Sequence, residues 1–314
     1  MNAEKPVLVT HSGKFHCDEV FAYAILRAAL GVHENGVDHA LLRSRDAGVI
    51  ASGDVVWDVG LVFDPATRRF DHHQRGAPLR DDGTPFSSAG LVWREYGAAA
   101  VAALLPQQEL GFAAAIAAEI DGSVVRRIDE LDNGISGGGP VLERDTLGLA
   151  TLVGDCNPAW DQPGNEGPGA GDAAFQEATR LAEGVLRRRV AGIRARMAAE
   201  ALVVAAHTAG ADPRLLVLDR GMPWKGAVFS HGLPVVFCVS PASNGNWMVD
   251  TMPPEPGSFA QLLPLPEAWA GLQGSDLATM SGVPDAVFVH VRRFIGAAAS
   301  REGAVRMATL ALAS

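Results

Sequence analysis

Within the stretch RRFDHHQRG, an aspartate stands directly before two histidines, Asp71, His72 and His73. Imidazole nitrogens and carboxylates bind divalent transition metals at neutral pH, so the triplet can form one corner of a metal site. Other corners lie upstream: His11, His16, Asp18 and Glu19 in THSGKFHCDE, and Asp58 in WDVG. Asp132, in DELDNG, adds a further carboxylate. Neighbouring side chains of an extended segment point to opposite faces. His72 and His73 are therefore expected to do different jobs, one on metal and the other toward substrate or a supporting acid. Asp71 suits the role of a carboxylate that orients a histidine from behind. The mixed imidazole and carboxylate set favours Mn²⁺, Fe²⁺, Co²⁺ or Zn²⁺ over Ca²⁺. A pair of such ions, about 3.5–4 Å apart, would steady both the attacking and the leaving oxygen of a phosphoryl transfer.

Each feature alone has an ordinary explanation. A histidine pair is commonly solvated, an aspartate after a strand commonly serves a turn, and Asp18 is placed to cap the helix that follows it. The joint pattern is what points to metal. Three separate segments place His or Asp where strands end, in chain order, and ligands of open parallel sheets collect beyond those carboxyl ends.

The elements needed to position them are readable. PVLV (Pro6–Val9), HALLRS and DVVWDVG (Asp54–Gly60) read as strands. CDEVFAYAILRAAL has Val20, Phe21, Ala24, Ile25 and Ala28 on one helical face. Strand, helix, strand with short links predicts crossover units and a mainly parallel sheet flanked by helices. SSAGLVWREYG (Ser87–Gly97) reads as a capped helix ending on glycine, and another runs from Ser123 to Asp132 before Asn133–Gly134. Asn157–Asp172 is a Gly/Pro-dense loop. A long helix follows from about Phe175 to Ala206, with Leu181, Val185, Ile193 and Met197 on its stripe and Arg187–Arg189 off it. RLLVLD, LPVVFCVS, NWMVDTM and AVFVHV then read as strands before a helical end, REGAVRMATLALA. The α/β chain thus divides into residues 1–175, a connecting helix 176–206, and a smaller α/β domain 207–314.

Composition narrows the class. The 314 residues are 48% hydrophobic and 20% charged, which suits a globular protein with a substantial core. No apolar run reaches membrane-span length, and the opening MNAEKPVLVTHSGKFH has no signal-peptide core. Three widely spaced cysteines, Cys17, Cys156 and Cys238, argue against a disulfide framework and for a reducing, cytoplasmic setting. A net charge of −10 repels nucleic acid at long range. A nucleic-acid substrate would need a local basic patch, bound cations, or both.

THSGKFHCDEVFAYAILR, VVWDVG, FDHHQRG, FSSAGLVW, DELDNGIS, PEPGSFAQLLPLPEAWAGL and GVPDAVFVHVRRFIG together with REGAV occur in this order along nearly the whole chain. In this the chain resembles the melanocyte-proliferating-gene (Myg) family, a branch of the DHH phosphoesterase superfamily. That resemblance implies an N-terminal DHH metal-binding catalytic domain paired with a smaller C-terminal substrate-binding domain. Eukaryotic members are implicated as 3′-to-5′ RNA exonucleases; relatives include RecJ-type exonucleases, oligoribonucleases and family II pyrophosphatases. It implies His11, His16, Asp18, Asp58, His72 and Asp132 as ligands of two divalent ions, Mn²⁺ foremost, with Mg²⁺, Co²⁺, Fe²⁺ or Zn²⁺ as alternatives. Asp58 would bridge, and Asp58, His72 and His73 would carry catalysis, with Asp71 behind them. His16 departs from the aspartate more usual in that loop, which favours a softer metal.

Arg75 would make a bidentate phosphate contact. Trp224 and Lys225 would supply a stacking face and a point charge, against the alternative of a core tryptophan and a solvated lysine. Related C-terminal domains carry a glycine-glycine-histidine segment where this chain has Gly296, Ala297 and Ala298. That change removes an imidazole donor, and Arg301 is the cation nearest in sequence to replace it.

Three functions stay open on the sequence. The first is a metal-dependent exonuclease or oligoribonuclease acting on RNA or short oligonucleotides. The second is a hydrolase of a dinucleotide, pyrophosphate or similar small phosphoester or phosphoanhydride. The third is a metal- or nucleotide-binding protein without catalysis. A homodimer is compatible with all three.

Overall fold

The computed structural model describes residues 5–135, 147–162, 167 and 169–314. Residues 1–4, the tail of DELDNGIS from Ser136, and positions 163–166 and 168 of the Asn157–Asp172 loop lie outside them. Two compact units divide the chain, Met1–Ile193 and Arg194–Ser314.

In the first unit, β1 (Val7–Thr10), β2 (Ala40–Arg43), β3 (Val55–Trp57), β4 (Phe63–Asp64) and β5 (Arg69–Phe70) form one sheet in the order β2-β1-β3-β5-β4. β2, β1, β3 and β5 are mutually parallel, and only the edge strand β4 runs antiparallel. Leu8, Val9, Val55, Val56 and Trp57 are buried. Strands covered on both faces read as continuous apolar runs for this reason. Because four strands run the same way, their carboxyl ends share one edge. His11 follows β1, Ser44 and Arg45 follow β2, Asp58 follows β3, and Asp71–His73 follow β5.

The helices of this unit are α1 (Cys17–Leu30), α2 (Ala47–Ser52), α3 (Ser88–Ala103), α4 (Ala113–Ile120), α5 (Arg126–Asp132), α6 (Leu149–Asp155) and the start of α7 (Asp172–Ala209). α1 coincides with the segment expected from periodicity and stops at Gly31, whose φ of 66° is the left-handed cap a glycine adopts freely. α3 packs against α1 and continues past Gly97, because AAAVAA sustains the helix. Residues Asp121–Val125, read as the start of a helix at Ser123, form a wider π-type turn joining α4 to α5.

α7 buries Phe175, Ala178, Ala182, Leu186, Val190 and Ile193. Of the expected stripe only Ile193 is buried; Leu181, Val185 and Met197 are half-buried, because the packed face runs through Phe175, Ala178, Ala182, Leu186 and Val190 instead. Arg187–Arg189 are exposed. The division between the units falls inside α7, between Ile193 and Arg194.

The second unit holds β6 (Leu215–Val217), α8 (Lys225–Ser230), β7 (Phe237–Pro241), β8 (Trp247–Thr251), α9 (Gly274–Ser281), β9 (Ala286–Val289), β10 (Ile295–Ala298) and α10 (Arg301–Ala313). Its sheet order is β6-β7-β8-β10-β9, with β6 and β7 parallel and the other pairings antiparallel. Phe237, Val239, Val249, Leu265, Ala298 and Met307 form its core. The fold is α/β with two sheets. Among the described residues, no helix is long and apolar enough to cross a membrane.

Candidate metal centre

Asp58 sits at the middle of the carboxyl edge. It leaves β3 with φ at 55°, a left-handed conformation that Asp tolerates better than most residues. Its two oxygens face different partners. Oδ1 lies 3.2 Å from His72 Nε2 and 3.8 Å from His73 Nδ1, while Oδ2 lies 3.2 Å from His11 Nε2. His11 Nε2 also lies against Glu19 Oε2. His72 Nε2 is 3.5 Å from Asp132 Oδ2 and 3.8 Å from Asp18 Oδ2. Among the described residues, three sets have ligand atoms within 4.8 Å of one another: Asp58, His72 and His73; His11, Glu19 and Asp58; His16, Asp18 and Asp132.

Supporting contacts fix these side chains. Asp71 accepts from the N–H groups of Leu61 (2.6 Å), His72 (2.8 Å) and His73 (3.1 Å), and from the His73 ring at 2.7 Å. One buried carboxylate therefore ties the turn after Asp58 to the histidine pair. The two serines of the FSSAG stretch do parallel work. Ser88 donates its hydroxyl to Asp18 at 2.7 Å, and Ser87 donates its hydroxyl and N–H to Asp129 at 2.6 and 2.9 Å. Asp129 also takes the Arg80 guanidinium at 2.7 Å, and Arg80 grips Asp121 with two bonds of 2.8 and 2.9 Å. Asp129 lies three residues before Asp132 in α5, so this network sets where Asp132 points. Gly90 is required by that packing: a Cβ would sit 2.4 Å from Asp129 Oδ1.

The electrostatics show more negative charge than the imidazoles balance. Burial, reinforced by the charges of Asp58 and Asp132, pushes the Asp18 carboxyl well above the usual range. Burial and contact with Asp58 do the same to Glu19. Burial raises Asp132 as well, against the pull of His72. Asp58 is the exception. Its burial is outweighed by hydrogen bonds from His72 and Glu19 and by the charge of His11, which hold it at about 2. For His72, burial is outweighed by the bond to Asp58 and the surrounding carboxylates, and its pKa rises to about 9. Burial lowers that of His11.

These residues fit divalent cations. Asp18 Oδ1 and Glu19 Oε1 are buried with no hydrogen-bond donor among the described residues. Buried oxygens of this kind cost about 1–3 kcal/mol each, more when charged, unless a proton or cation meets them. Imidazole with carboxylate is the donor set of Mn²⁺, Fe²⁺, Co²⁺ and Zn²⁺ sites.

Of the residues expected from sequence, the fold brings His11, Asp18, Asp58, His72, His73 and Asp132 together at one sheet edge. His16 is exposed and joins Asp18 and Asp132, and Asp71 stands behind the histidines. Arg75 is exposed just beyond them. In the second unit, Trp224 is 7% exposed, packed with Leu216, Leu218, Val228 and Met252. Its ring is core, with Lys225 exposed and its Nζ 5.5 Å from the ring centroid. Ala297 and Ala298 are fully buried, and a Cβ on Gly296 would press at 3.1 Å on Leu265, Phe288 and Val289. Arg301 is exposed at the start of α10, 3.9 Å from Asp219. Glu19, a corner the sequence offers but absent from the ligand set the resemblance implies, joins His11 and Asp58; Ser87, Ser88 and Arg80 carry no sequence signal beyond a helix cap.

Comparison with known proteins follows the same span. Residues 7–312 match the MYG1_exonuc family, described as Uncharacterised protein family (UPF0160). Similar proteins include "MYG1 protein C27H6.8" of Caenorhabditis elegans, 34% identical over 96% of this chain and 94% of the relative. "MYG1 exonuclease" of Mus musculus is 34% identical over 98% of this chain and 85% of its own length. The Homo sapiens protein of the same name is 32% identical over 98% and 86%. No solved structure matches. With its motifs in order, its ligand-type residues at one sheet edge and this end-to-end match, the chain belongs to the MYG1 (Myg) family.

Proposed function

We propose that this chain is a divalent-metal-dependent phosphoesterase of the DHH type that hydrolyses phosphodiester bonds in RNA or short oligonucleotides, as a 3′-to-5′ exonuclease. The first unit is the catalytic one, and the second binds substrate. The observation that carries this reading is Asp58, whose two oxygens face separate imidazoles, His11 on one side and His72 on the other. A carboxylate so placed suits a bridge between two cations, as two-metal phosphoryl transfer uses. Relatives named MYG1 exonuclease support the nuclease assignment.

His11, Glu19 and Asp58 would hold one cation. Asp58 with His72, and Asp18 with Asp132 and His16, would hold the other. When bound, Mn²⁺ or a similar ion would polarise the phosphoryl oxygens and make water nucleophilic near neutral pH. The chain's own groups do the rest. Asp71 fixes the His73 ring, whose side chain is 54% exposed and so reaches an entering phosphate. His73 can hydrogen-bond a phosphoryl oxygen or pass a proton to the departing one. Arg75 neutralises a neighbouring phosphate. A cytoplasmic setting accords with the three free cysteines.

The net charge of −10 favours short substrates over long RNA, which makes a small phosphoester the second reading. Purified protein with Mn²⁺ should shorten end-labelled RNA and split a dinucleotide, and Asp58→Ala should do neither. Absence of cleavage across a panel of divalent metals would sink the reading. Hydrolysis of pyrophosphate alone would shift it to the small-substrate alternative.

A further inference from the structure

The carboxyl edge has one strand end that the ligand set leaves unused. β2 ends at Arg43, and Ser44 and Arg45 continue beside the loop after β1, with Ser44 N donating to Thr10 O at 2.8 Å. The two arginines differ. Arg43 is committed: Nη2 donates to Gly13 O at 2.5 Å, Nη1 reaches Asp172 at 3.1 Å, and the guanidinium lies 4.7 Å from the Phe175 ring centroid. Arg45 is exposed and only grazes Ser12 O, at 3.4 Å from Nε. Among the described residues no carboxylate lies within ion-pairing distance of it. Its neighbour Asp46 is engaged as the cap of α2, accepting from Val49 N at 3.0 Å.

Arg45 nonetheless stands beside His11, whose ring Nδ1 lies 3.1 Å from the same Ser12 carbonyl. The loop between them is open. Gly13 takes φ of 96°, and a Cβ there would meet nothing within 4 Å. The N–H groups of Ser12, Gly13 and Lys14 have no protein acceptor among the described residues, and Lys14 is exposed. An exposed guanidinium and a loop with free N–H donors therefore adjoin His11, at the rim of a group of carboxylates that would by itself repel an anion. Such donors around a polar edge are the chemistry that receives phosphate.

We propose that Arg45, with the Ser12–Lys14 loop, binds the non-bridging oxygens of a substrate or product phosphate beside the carboxylate–imidazole cluster. This deepens the phosphoesterase reading and rests on it. Arg45 is then a phosphate-binding residue that no motif singled out.

The test is titration of AMP into the full chain in the presence of Mn²⁺, for wild type, Arg45→Ala and Arg45→Lys. Loss of a charged bidentate contact should weaken AMP binding by about 10- to 100-fold in Arg45→Ala. Arg45→Lys should fall between, since an ammonium keeps the charge without the planar fork. Mn²⁺ affinity measured without AMP should stay at the wild-type value in both variants. AMP affinity in Arg45→Ala equal to wild type, or an equal loss of Mn²⁺ affinity, would overturn the proposal; so would a wild-type protein that binds no AMP. Failure of the phosphoesterase reading looks different: AMP binding that depends on Arg45, with no cleavage of RNA or dinucleotide.

Discussion

The two sheets of this protein handle polar residues in opposite ways. In the first unit four parallel strands deliver His11, Arg45, Asp58 and the Asp71–His73 triplet to one edge, where buried oxygens lack donors. In the second unit most pairings are antiparallel, so successive strand ends fall on opposite edges. Gly296, Ala297 and Ala298 are buried there in a strand, Trp224 lies in the core, and no metal-type cluster occurs among the described residues. Parallel order concentrates chemistry; antiparallel order spreads it and leaves packing as the dominant constraint.

Substitutions should separate the two regions, beginning with the largest effect. Asp58→Ala removes a carboxylate shared by two ligand groups. It should abolish Mn²⁺ uptake, read by calorimetry, and cleavage, read on labelled RNA. Next comes Trp224→Ala, which empties a large core site and should destabilise the second unit by about 3–5 kcal/mol in urea unfolding, leaving Mn²⁺ uptake intact. A Trp224→Ala protein that keeps full stability but loses RNA binding would contradict the core assignment. Ser88→Ala removes the hydroxyl that holds Asp18, and Mn²⁺ affinity should fall about tenfold with the fold unchanged.

Acidity offers a finer probe. His72 rises from 6.5 to about 9 on folding, so its contribution to stability is complete below about pH 6.5 and is lost as pH climbs through about 9. The raised carboxyls of Asp18, Glu19 and Asp132 act in the same direction. Metal-free protein should therefore lose thermal stability from pH 6.5 to 9, and Mn²⁺ should raise its melting temperature more at pH 8.5 than at pH 6. A stabilisation by Mn²⁺ that is larger at pH 6 would count against ligation by His72. The smallest effect belongs to Arg301→Ala. An exposed side chain 3.9 Å from its acid should change stability by no more than about 0.5 kcal/mol.

Much of the first unit was legible because its signals are local. Helix periodicity locates α1 from Cys17 to Leu30, and apolar runs mark β1, β2 and β3. Chain order at a parallel sheet then puts His11, Asp58 and His72 at one edge. Glu19 was harder to place, since adjacent residues in a helix point about 100° apart and only the fold shows both Asp18 and Glu19 facing the cluster. Nor does sequence reveal that Asp58 turns left-handed, or that Ser87 and Ser88 hold two different acids; both depend on residues far along the chain. The buried face of α7 shares only Ile193 with the expected stripe, since Leu181 and Leu186 lie on different faces and periodicity alone does not choose between them. β10 and the short helices α8 and α9 carry too few residues for a period to stand out.

The most direct measurement is anomalous diffraction at the manganese edge from crystals grown with Mn²⁺. Manganese peaks on both sides of the Asp58 carboxylate, one beside His11 and Glu19 and one beside His72, are the expected result. Manganese bound elsewhere with none at Asp58, or no bound manganese at saturating concentration, would contradict a shared carboxylate at the heart of this site.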